Sequence, residues 1–485
     1  MNAIVESRPS LPVRHEALRI CGEQIRREQV IEVLNPYNGE LVGTVPKATL
    51  VDVKRAFAYA HAYRARLTRY ERSQILRRAA EIVRERTEEI SALITAEAGL
   101  CRKDSLYEAG RVSDVLIFGA NEALKDDGQV FSCDLTPHGK KRRVYTLRDP
   151  LLGVISAITP FNHPMNQVAH KIVPSIATNN RIVVKPSEKV PLSTYLLADI
   201  LYTAGLPQEM LQVLTGDPKE IADELITNEH VDLITFTGGV PIGKYIAEKM
   251  GYRRAVLELG GNDPIIVMED ADLDEASTLA VSGSYKNSGQ RCTAVKRMLV
   301  HEAVADRFVE LLVEKTRAVR YGDPADPATD MGTVIDEAAA KFFEAQVNDA
   351  VSRGAKLLYG NIRKGALYSP TVVDHVTPDM PLVKYETFGP VSPVIRFRDI
   401  DDAIRISNST DYGLSSSVCT NRMDYITRFI AELEVGSVNV REVPGYRLEL
   451  TPFGGIKDSG LGYKEGVQEA MKSFTHVKTY SLPWS

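Results

Sequence analysis

The sequence predicts an α/β protein with two parallel-sheet domains and a small additional β element. Three observations predict this architecture. Short apolar runs alternate with helical stretches, the alternation restarts with different content near Leu257, and a polar segment at 128–149 precedes it. Parallel strands that are buried on both faces have continuous apolar runs, and crossover helices connect them. A chain of 485 residues is long enough to bury a large core in more than one domain.

The elements follow in chain order. Residues 50–125 have apolar positions at helical spacing and predict helices. Residues 128–149 predict an extended hairpin that turns at Pro137-His138-Gly139. Buried strands are predicted at GVISAI, RIVVK, LQVL and DLITF in the first domain, and at PIIVM, MLVHE, VSPVIRF and SSSVCT in the second. Crossover helices are predicted at KVPLSTYLLADILYTAG and GKYIAEKM. The tail HVKTYSLPWS predicts an edge strand that, with the hairpin, is suited to pair with a neighbouring subunit.

Composition excludes several classes of protein. With 44% apolar and 25% charged residues the chain is typical of soluble globular proteins, and a net charge of -5 disfavours general nucleic-acid binding. The longest uncharged stretch, 150–169, contains prolines and amides that argue against a membrane helix, and no apolar signal-peptide core begins the chain. Five scattered cysteines without a CxxC pair argue against a compact zinc site. They favour a reducing compartment, so a cytoplasmic location without a metal site is predicted.

The segment SGQRCTA at 288–294 is the strongest chemical signal. A catalytic cysteine needs access to substrate and a lowered pKa. Gly289 allows close backbone approach, Arg291 supplies positive charge, and the backbone N–H of Cys292 could face a developing oxyanion. The alternative is a small buried core residue.

Two further segments carry candidate acid, base and oxyanion groups. In LELGGNDP, Glu258 ends an apolar run, where burial would raise its pKa toward that of a general base; a salt-bridged structural glutamate is the alternative. In ITPFNHP, a strand ends in a turn that presents Asn162 and His163. An amide N–H suits an oxyanion hole, although asparagine is also a common turn residue.

Two strand ends are candidates for binding a nucleotide. In VVKPSEKVPLS, Lys185 and Glu188 lie at the carboxyl end of a predicted strand, where open α/β sheets bind ligands. In FTGGVPIGK, glycines precede a helix N-terminus that suits a pyrophosphate, although this turn is neither GxGxxG nor a P-loop.

Together and in this order, these motifs resemble the aldehyde dehydrogenase superfamily from about residue 30 to the C-terminus. KYETFGPV (384–391) and PFGGIKDSGLG (452–462) extend the resemblance. It implies two Rossmann-type α/β domains and a small β oligomerisation flap. The implied NAD-binding domain is 1–127 with 150–256, and the catalytic domain is 257–440, continuing to about 470. The implied oligomerisation element is 128–149 with 471–485, in a homodimer or homotetramer.

The resemblance also implies roles for individual residues. Cys292 corresponds to the nucleophile, Glu258 to the base that activates water, and Asn162 with the Cys292 amide to the oxyanion hole. The cofactor contacts it implies are Lys185, Ser187, Glu188, Gly216, Phe236, Thr237, Gly238, Gly239, Glu386 and Phe388. Because CoA-acylating relatives lack a glutamate at this position, Glu258 favours a free acid as the product.

Three positions depart from the family pattern. Phe161 replaces the usual tryptophan, Gly239 replaces a common serine and removes one hydroxyl contact to phosphate, and Asn262 replaces a lysine. The Glu188 carboxylate disfavours a ribose 2′-phosphate by like charge, so NAD is the expected cofactor and NADP remains possible.

Several cations predict the class of aldehyde. The side chains expected to line the substrate tunnel are the cations Arg111, His163, Arg291 and Arg447 and the uncharged Thr293, with Arg441 nearby. Arginine's donor fork suits phosphate or phosphonate oxygens, and cations beside Cys292 and Asn162 favour a short substrate. Within the family the chain is most similar to members that oxidise phosphonoacetaldehyde to phosphonoacetate.

Other interpretations stay open. Competing substrates are glyceraldehyde 3-phosphate (in its non-phosphorylating oxidation), succinate semialdehyde and the neutral lactaldehyde. Outside this reaction, the chain could be a non-catalytic structural protein on the same fold, or a cysteine hydrolase with His163 as its base.

Overall fold

The computed structural model describes residues 12–64, 66–125, 128–462 and 465–484. The segment before the hairpin contains strands β1 (Arg14–His15), β2 (Leu18–Ile20), β3 (Glu23–Ile25), β4 (Val30–Leu34) and β5 (Leu41–Pro46). These are followed by helices α1 (Leu50–Ala62), α2 (Arg69–Glu85), α3 (Thr87–Ala98) and α4 (Arg102–Glu122). The hairpin contains strands β6 (Val130–Ser132) and β7 (Arg142–Pro150).

The next segment alternates strand and helix. It contains β8 (Val154–Ile158), α5 (Asn166–Ala177), β9 (Ile182–Lys185), α6 (Leu192–Thr203), β10 (Leu211–Val213), α7 (Pro218–Thr227), β11 (Val231–Thr237), α8 (Val240–Lys249) and β12 (Arg254–Glu258). The four strands predicted here are therefore present, and so are both crossover helices.

The remaining chain begins a second alternation. It contains β13 (Pro264–Val267), α9 (Leu273–Tyr285), β14 (Arg297–His301), α10 (Glu302–Arg317), α11 (Glu337–Ser352), β15 (Lys356–Tyr359), β16 (Arg363–Lys364), β17 (Leu367–Tyr368), β18 (Thr371–Asp374), α12 (Pro381–Lys384), β19 (Val391–Phe397) and α13 (Ile400–Asn408). It ends with β20 (Tyr412–Gly413), β21 (Ser415–Cys419), α14 (Met423–Glu432), β22 (Ser437–Val440), β23 (Ile456–Lys457), α15 (Val467–Ser473) and β24 (Thr475–Pro483).

The first large sheet has the order β12-β11-β8-β9-β10-β2-β3. Strands β8 to β12 are parallel, and β2 and β3 extend the sheet in antiparallel pairing. Strands β9 and β10 are added on one side of β8, and β11 and β12 on the other. The direction in which successive strands are added therefore reverses at β8. At such a reversal the loops at the carboxyl ends diverge and leave a crevice.

The second large sheet has the order β15-β18-β19-β14-β13-β21-β22. All of its neighbours pair in parallel except β15 with β18. The first sheet extends to Glu258 and the second begins at Pro264, so the chain passes between them in five residues, 259–263.

Two boundaries differ from the expected division. Leu257 and Glu258 belong to the first sheet rather than to the second domain. Helix α15, expected as a continuation of the second domain, joins the first core instead. The reason is that Val467, Ala470 and Phe474 are apolar and bury against the core that contains α4 and α5.

The helices begin where their sequences provide caps. Thr49 caps α1 together with Asp52, and Thr68 caps α2 together with Glu71; each pair forms a reciprocal capping box. These hydrogen bonds satisfy backbone N–H groups of the first turn that have no partner within the helix. The long helices α2 and α4 then bury one face each against the first sheet's core.

A small sheet of order β24-β7-β6 stands apart from the two large ones. The C-terminal strand β24 pairs with β7 of the same chain along its whole length, from Thr475 opposite Pro150 to Pro483 opposite Arg142. The hairpin turn is closed by the Gly139 N–H, which donates to the Thr136 carbonyl. Among the described residues, no helix combines the length and apolar character that crossing a bilayer requires.

Leu76 offers a test of the first core. Its side chain is fully buried in α2, whereas Leu124, just beyond α4, is 48% exposed. Leu76→Ala should lower the free energy of unfolding by about 2–5 kcal/mol, since it removes buried surface and leaves a cavity. The matched change Leu124→Ala should cost less than about 1 kcal/mol. Denaturant unfolding followed by circular dichroism measures both, and equal losses would contradict the assigned core.

Candidate active site

A cleft of about 480 Å³ lies between the carboxyl ends of the two sheets. It brings together residues from every main motif. Those predicted from the sequence that line it are Asn162, Thr237, Gly238, Gly239, Glu258, Cys292, Glu386 and Phe388. Phe161 also lines it, with its ring edge-to-face against Phe388 at 5.8 Å between centroids.

Asn162 is placed by the turn that follows β8. The residue is 5% exposed, and its Oδ1 atom has no hydrogen-bond partner among the described residues. Its backbone carbonyl accepts a hydrogen bond of 3.2 Å from Asn287 Nδ2. The turn is therefore held by the main chain, while the side-chain amide stays available to a ligand in the cleft.

The loop that carries Cys292 has a strained backbone. Asn287, Ser288 and Gly289 have φ angles of 54°, 53° and 72°, which is the left-handed region. At Gly289 a side chain is excluded, because a Cβ would lie 2.3 Å from the Gly389 carbonyl oxygen. The Asn287 N–H donates to the buried carboxylate of Asp104 at 2.8 Å, which anchors the strained turn to helix α4.

The Cys292 thiol lies among opposing influences on its pKa. Burial raises the pKa of Cys292 above its usual value, while the nearby cations Lys296 and Arg447 act to lower it. Lys296 is almost fully buried, and its Nζ donates to the Cys292 carbonyl oxygen at 2.5 Å. The two cations thus favour the thiolate against the cost of burial.

Glu258 ends β12 inside the protein and is 3% exposed. Two backbone hydrogen bonds hold it in place. The Glu258 carbonyl accepts the Gly238 N–H, and the N–H of the following residue, Leu259, donates to the Ser459 carbonyl in the C-terminal glycine-rich segment. Lys171, which forms an ion pair with Glu465, lies near enough for its charge to interact with that of Glu258. Burial lowers the pKa of Lys171 to about 7, although Glu258 acts to raise it.

The crossing of two chain segments brings the end of β12, with Glu258, close to the loop that carries Cys292. Gly261 lies so close to the nucleophile loop that a Cβ on it would be 2.6 Å from the Cys292 carbonyl oxygen. The Gly261 N–H donates to Glu386 Oε1 at 3.1 Å, and Lys296 forms an ion pair of 3.0 Å with the same carboxylate. Asn262, to which the sequence assigned no role, donates from Nδ2 to the Val383 carbonyl at 2.6 Å.

The remaining predicted cofactor residues lie along the first sheet, outside the lining of this cleft. Lys185 ends β9 and forms an ion pair of 3.0 Å with Glu188. Burial acts to raise the pKa of Glu188, but Lys185 brings it below its usual value. Ser187 Oγ accepts the Lys189 N–H at 3.3 Å. Gly216, beyond β10, packs against Ile221.

These features fit a dinucleotide. The glycine turn at 238–239 precedes helix α8, the cleft wall is largely apolar, and the anionic pair Glu188 and Glu386 can accept hydrogen bonds from ribose hydroxyls. Phe236 is buried in the core that contains residues of α1 and α7, and its ring packs against Gly238, so it supports this turn. Within the described ranges, no group of three or more His, Cys, Asp or Glu side chains is placed to hold a metal ion.

The three arginines predicted for the substrate tunnel come from three separate segments of the chain. Arg291 precedes Cys292, Arg111 comes from α4, and Arg447 comes from the loop before the PFGG segment. The same loop packs through Gly445 against Arg291 and Thr293. Charge interactions join Arg111 to both Arg291 and Arg447.

The expected positive charge of His163 is not supported. His163 is 6% exposed, and burial lowers its pKa, so the imidazole is neutral at neutral pH. Its ring nitrogens lie 3.0 Å from Asn287 Nδ2 and 3.4 Å from Glu108 Oε2. His163 therefore supplies a hydrogen-bonding group rather than a cation. Because it contacts Asn287 and Glu108 rather than Cys292, it is also poorly placed as the base of a cysteine hydrolase.

Several site residues were missed by sequence reasoning. Glu449 contacts Arg111, Arg447 and His170. Lys296 donates to the Cys292 carbonyl, and Asn287 joins the Cys292 loop to the turn of Asn162 and His163. A signal existed for Glu449, which is an acid two residues after Arg447 in a stretch that alternates charged and apolar residues. Arg441, by contrast, pairs with Glu275 on the surface and takes no part in the site.

Comparison with known proteins identifies the family. The profile of the aldehyde dehydrogenase family matches residues 24–480. The chain belongs to this family. It is accordingly an oxidoreductase that acts on aldehydes with NAD or NADP, and its α/β fold with two Rossmann-like domains is that of the family.

Two relatives and one solved structure illustrate the similarity. A 3-sulfolactaldehyde dehydrogenase of Priestia aryabhattai is 38% identical over 471 residues, covering 97% of this chain and 98% of the relative. A lactaldehyde dehydrogenase of Methanocaldococcus jannaschii is 38% identical and covers 95% and 98%. The crystal structure of NADP-dependent glyceraldehyde-3-phosphate dehydrogenase from Bacillus halodurans C-125 with NADP has a TM-score of 0.94, 37% identity, and coverage of 97% and 100%.

The surroundings of Cys292 predict how it reacts with an alkylating reagent. Because burial raises its pKa, alkylation by iodoacetamide should accelerate with pH above the ordinary thiol range. Lys296→Met removes a cation that opposes this shift, so the midpoint of the rate profile should move to higher pH. Peptide mapping by mass spectrometry separates Cys292 from the other thiols. A midpoint in Lys296→Met equal to or below that of the unaltered enzyme would contradict the arrangement.

Proposed function

We propose that this aldehyde dehydrogenase oxidises a short anionic aldehyde, most specifically phosphonoacetaldehyde to phosphonoacetate, with NAD as the preferred cofactor. The observation that carries the proposal is the Arg291 guanidinium beside Cys292. Arg291 is partly buried, yet its guanidinium has no hydrogen bond or ion pair to another residue in the described part of the chain. An unpaired buried charge is costly and is retained where a ligand pairs with it.

Arg447 supports the same conclusion. Its Nη1 atom is buried without a hydrogen-bond partner, its guanidinium lies 3.9 Å from the centroid of the Phe453 ring, and Glu449 is 3.8 Å from its Nη2. Burial lowers the pKa of Arg447, and so does the neighbouring Arg111. Arginines gathered against their mutual repulsion suit the multiple oxygens of a phosphonate, phosphate or sulfonate.

The position of these cations favours a short substrate. Arg291 is the residue before the nucleophile, and the charge of Arg447 is close enough to influence the Cys292 thiol. A head group bound by both residues would therefore lie within a few bonds of the reacting carbonyl. Phosphonoacetaldehyde, in which one methylene separates phosphonate from carbonyl, meets this requirement.

The side chains in the cleft have the chemistry that the reaction needs. The Cys292 thiolate adds to the aldehyde carbon to form a thiohemiacetal, whose oxyanion would accept hydrogen bonds from the Asn162 amide and the Cys292 N–H. When bound, the nicotinamide accepts the hydride that converts this adduct to a thioester. Glu258 then takes a proton from water, which attacks the thioester and releases the carboxylate and the thiol.

A sulfonated aldehyde is the second candidate. The relative named 3-sulfolactaldehyde dehydrogenase is as similar as the lactaldehyde dehydrogenase, and a sulfonate offers three oxygens to the same arginines. Glyceraldehyde 3-phosphate and succinate semialdehyde place their anions further from the carbonyl, and lactaldehyde carries none. The Glu188 carboxylate would repel a 2′-phosphate, which supports NAD over NADP for this chain.

The substrate assignment predicts a clear kinetic pattern. The value of kcat/KM should be highest for phosphonoacetaldehyde in a panel with sulfoacetaldehyde, glyceraldehyde 3-phosphate, succinate semialdehyde and lactaldehyde, each with NAD and with NADP. Arg291→Ala and Arg447→Ala should each raise KM for phosphonoacetaldehyde about 10–100-fold, since each removes a charged hydrogen-bond donor. Arg441→Ala, an arginine of the same loop paired outside the pocket, should leave KM unchanged.

Two results would reject this assignment. Preference for lactaldehyde over every anionic aldehyde would remove the basis for an anion pocket. An unchanged KM for phosphonoacetaldehyde in both Arg291→Ala and Arg447→Ala would also reject it, because the charges of both arginines act at Cys292.

The flap supports a proposal about assembly. We propose that the β24-β7-β6 sheet is an oligomerisation element and that the enzyme is a homodimer or homotetramer. Apolar side chains are exposed on this sheet and directly after it, including Val130 at 53%, Leu482 at 48% and, one residue beyond β24, Trp484 at 53%. Among the described strands, β6 and β24 each have a neighbour on one side only, and a long edge strand with apolar side chains favours pairing with another chain.

Charges on the flap should weaken this assembly. The double variant Leu482→Lys with Trp484→Lys places two cations at the C-terminal end of β24 and just beyond it, so its molar mass by size-exclusion chromatography with light scattering should fall. Leu357→Lys, on the edge strand β15 and 41% exposed, is the matched control and should keep the unaltered mass. The flap is not the interface if the double variant also keeps that mass.

A further inference from the structure

Glu449 is a buried acid between two arginines of the substrate pocket. It is 6% exposed and lies in the loop before the PFGG segment. Its Oε1 accepts a hydrogen bond from Arg111 Nε, and its Oε2 lies 2.5 Å from His170 Nε2 and 3.8 Å from Arg447 Nη2. Arg111 comes from α4 and His170 from α5, so this carboxylate joins the loop to the first domain.

The contacts leave the outer ends of both arginines free. Glu449 binds Arg111 through Nε, and the two terminal nitrogens of Arg111 have no hydrogen bond to another described residue. Arg447 Nη1 is likewise without a hydrogen-bond partner in the described chain. A guanidinium held at its inner edge keeps the rest of its donor fork for a ligand.

Glu449 remains negatively charged in this environment. Burial acts to raise the pKa of Glu449, but His170, Arg111 and Arg447 together bring it well below its usual value. Burial lowers the pKa of His170 to about 4, so at neutral pH the imidazole donates a hydrogen bond without adding a charge. Other acids also act on these arginines. Glu108, near Arg111, accepts the Met165 and Asn166 backbone N–H groups, Asp104, near Arg291, accepts that of Asn287, and Glu258 lies near Arg447.

We propose that Glu449 is the positioning residue of the anion pocket, and that its charge sets how strongly the pocket prefers a doubly over a singly charged head group. The inference rests on the proposed function, because it assumes that Arg111, Arg291 and Arg447 bind the substrate anion. In that arrangement three guanidinium charges would act on the head group, and the negative charge of Glu449, which lies against Arg111 and Arg447, reduces their sum by one. Without that offset, the field at the head group would favour each additional negative charge on the substrate more strongly.

The test uses three aldehydes that differ in charge. Phosphonoacetaldehyde at about pH 8 is doubly charged, sulfoacetaldehyde is singly charged and of similar size, and propanal is neutral. Glu449→Gln keeps an acceptor oxygen but removes the charge, while Glu449→Ala removes both. Glu275→Gln is the matched control, since it removes the carboxylate of the surface pair with Arg441.

The two variants should separate charge from positioning. Glu449→Gln should raise the ratio of kcat/KM for phosphonoacetaldehyde over sulfoacetaldehyde about tenfold, with KM for propanal unchanged. Glu449→Ala should raise KM for both anionic aldehydes about tenfold or more while kcat stays within about twofold, because the arginines lose their anchor. Glu275→Gln should match the unaltered enzyme for all three aldehydes.

The outcomes distinguish this proposal from the proposed function. An unaltered enzyme that prefers propanal overturns both. An enzyme that prefers the anions, but whose ratio stays within twofold in Glu449→Gln, overturns the role of Glu449 alone. A KM for propanal that rises in Glu449→Ala as much as the KM for the anions would show a merely structural residue, which also overturns it. If the alanine variant does not fold, the ratio in Glu449→Gln decides by itself.

Discussion

The close approach of the Gly261 segment to the nucleophile loop is the constraint on which the rest of the site depends. A Cβ at Gly261 would lie 2.6 Å from the Cys292 carbonyl oxygen, so the two segments can cross only without a side chain there. The crossing places the end of the first sheet, with Glu258, against the loop that precedes the second sheet's β14. It also brings the Gly261 N–H to Glu386. Glu258, Cys292 and Glu386, the residues predicted as base, nucleophile and ribose contact, are thus brought together around this one backbone contact.

Electrostatics then divides the site into two regions. Near the cofactor cleft the charges are paired, as in Lys185 with Glu188 and Lys296 with Glu386. Toward the substrate, the Arg291 guanidinium is without a partner among the described residues, and Arg447 is only partly compensated by Glu449 at 3.8 Å. Paired charges give a rigid frame that needs no ligand, whereas incompletely paired ones lower the cost of binding an anion. Because the charges of Arg291 and Arg447 are incompletely paired, the cost of burying them is not offset, and burial lowers the pKa of both.

Much of the fold was predictable because its signals are local. The eight predicted core strands are present, since apolar runs between helical stretches leave few alternatives in an α/β chain. The motifs also predicted residues that the structure gathers in one cleft, among them Asn162, Glu258 and Cys292. Boundaries were less predictable: α15 joined the first core rather than the second domain, because its apolar residues are explained only by the helices against which they pack.

The sequence alone determined the family, and it singled out Cys292, Glu258 and Asn162 as candidates, because each lies in a short motif whose residue types suit the proposed chemistry. Only the tertiary structure decided the charge of the pocket. His163 is neutral because it is buried, Arg441 is paired with Glu275 on the surface, and Glu449 reaches Arg111 across 338 residues of chain. The protonation and the ion pairing of a side chain depend on the groups that surround it in space. The order of residues along the chain does not give the distances between those groups.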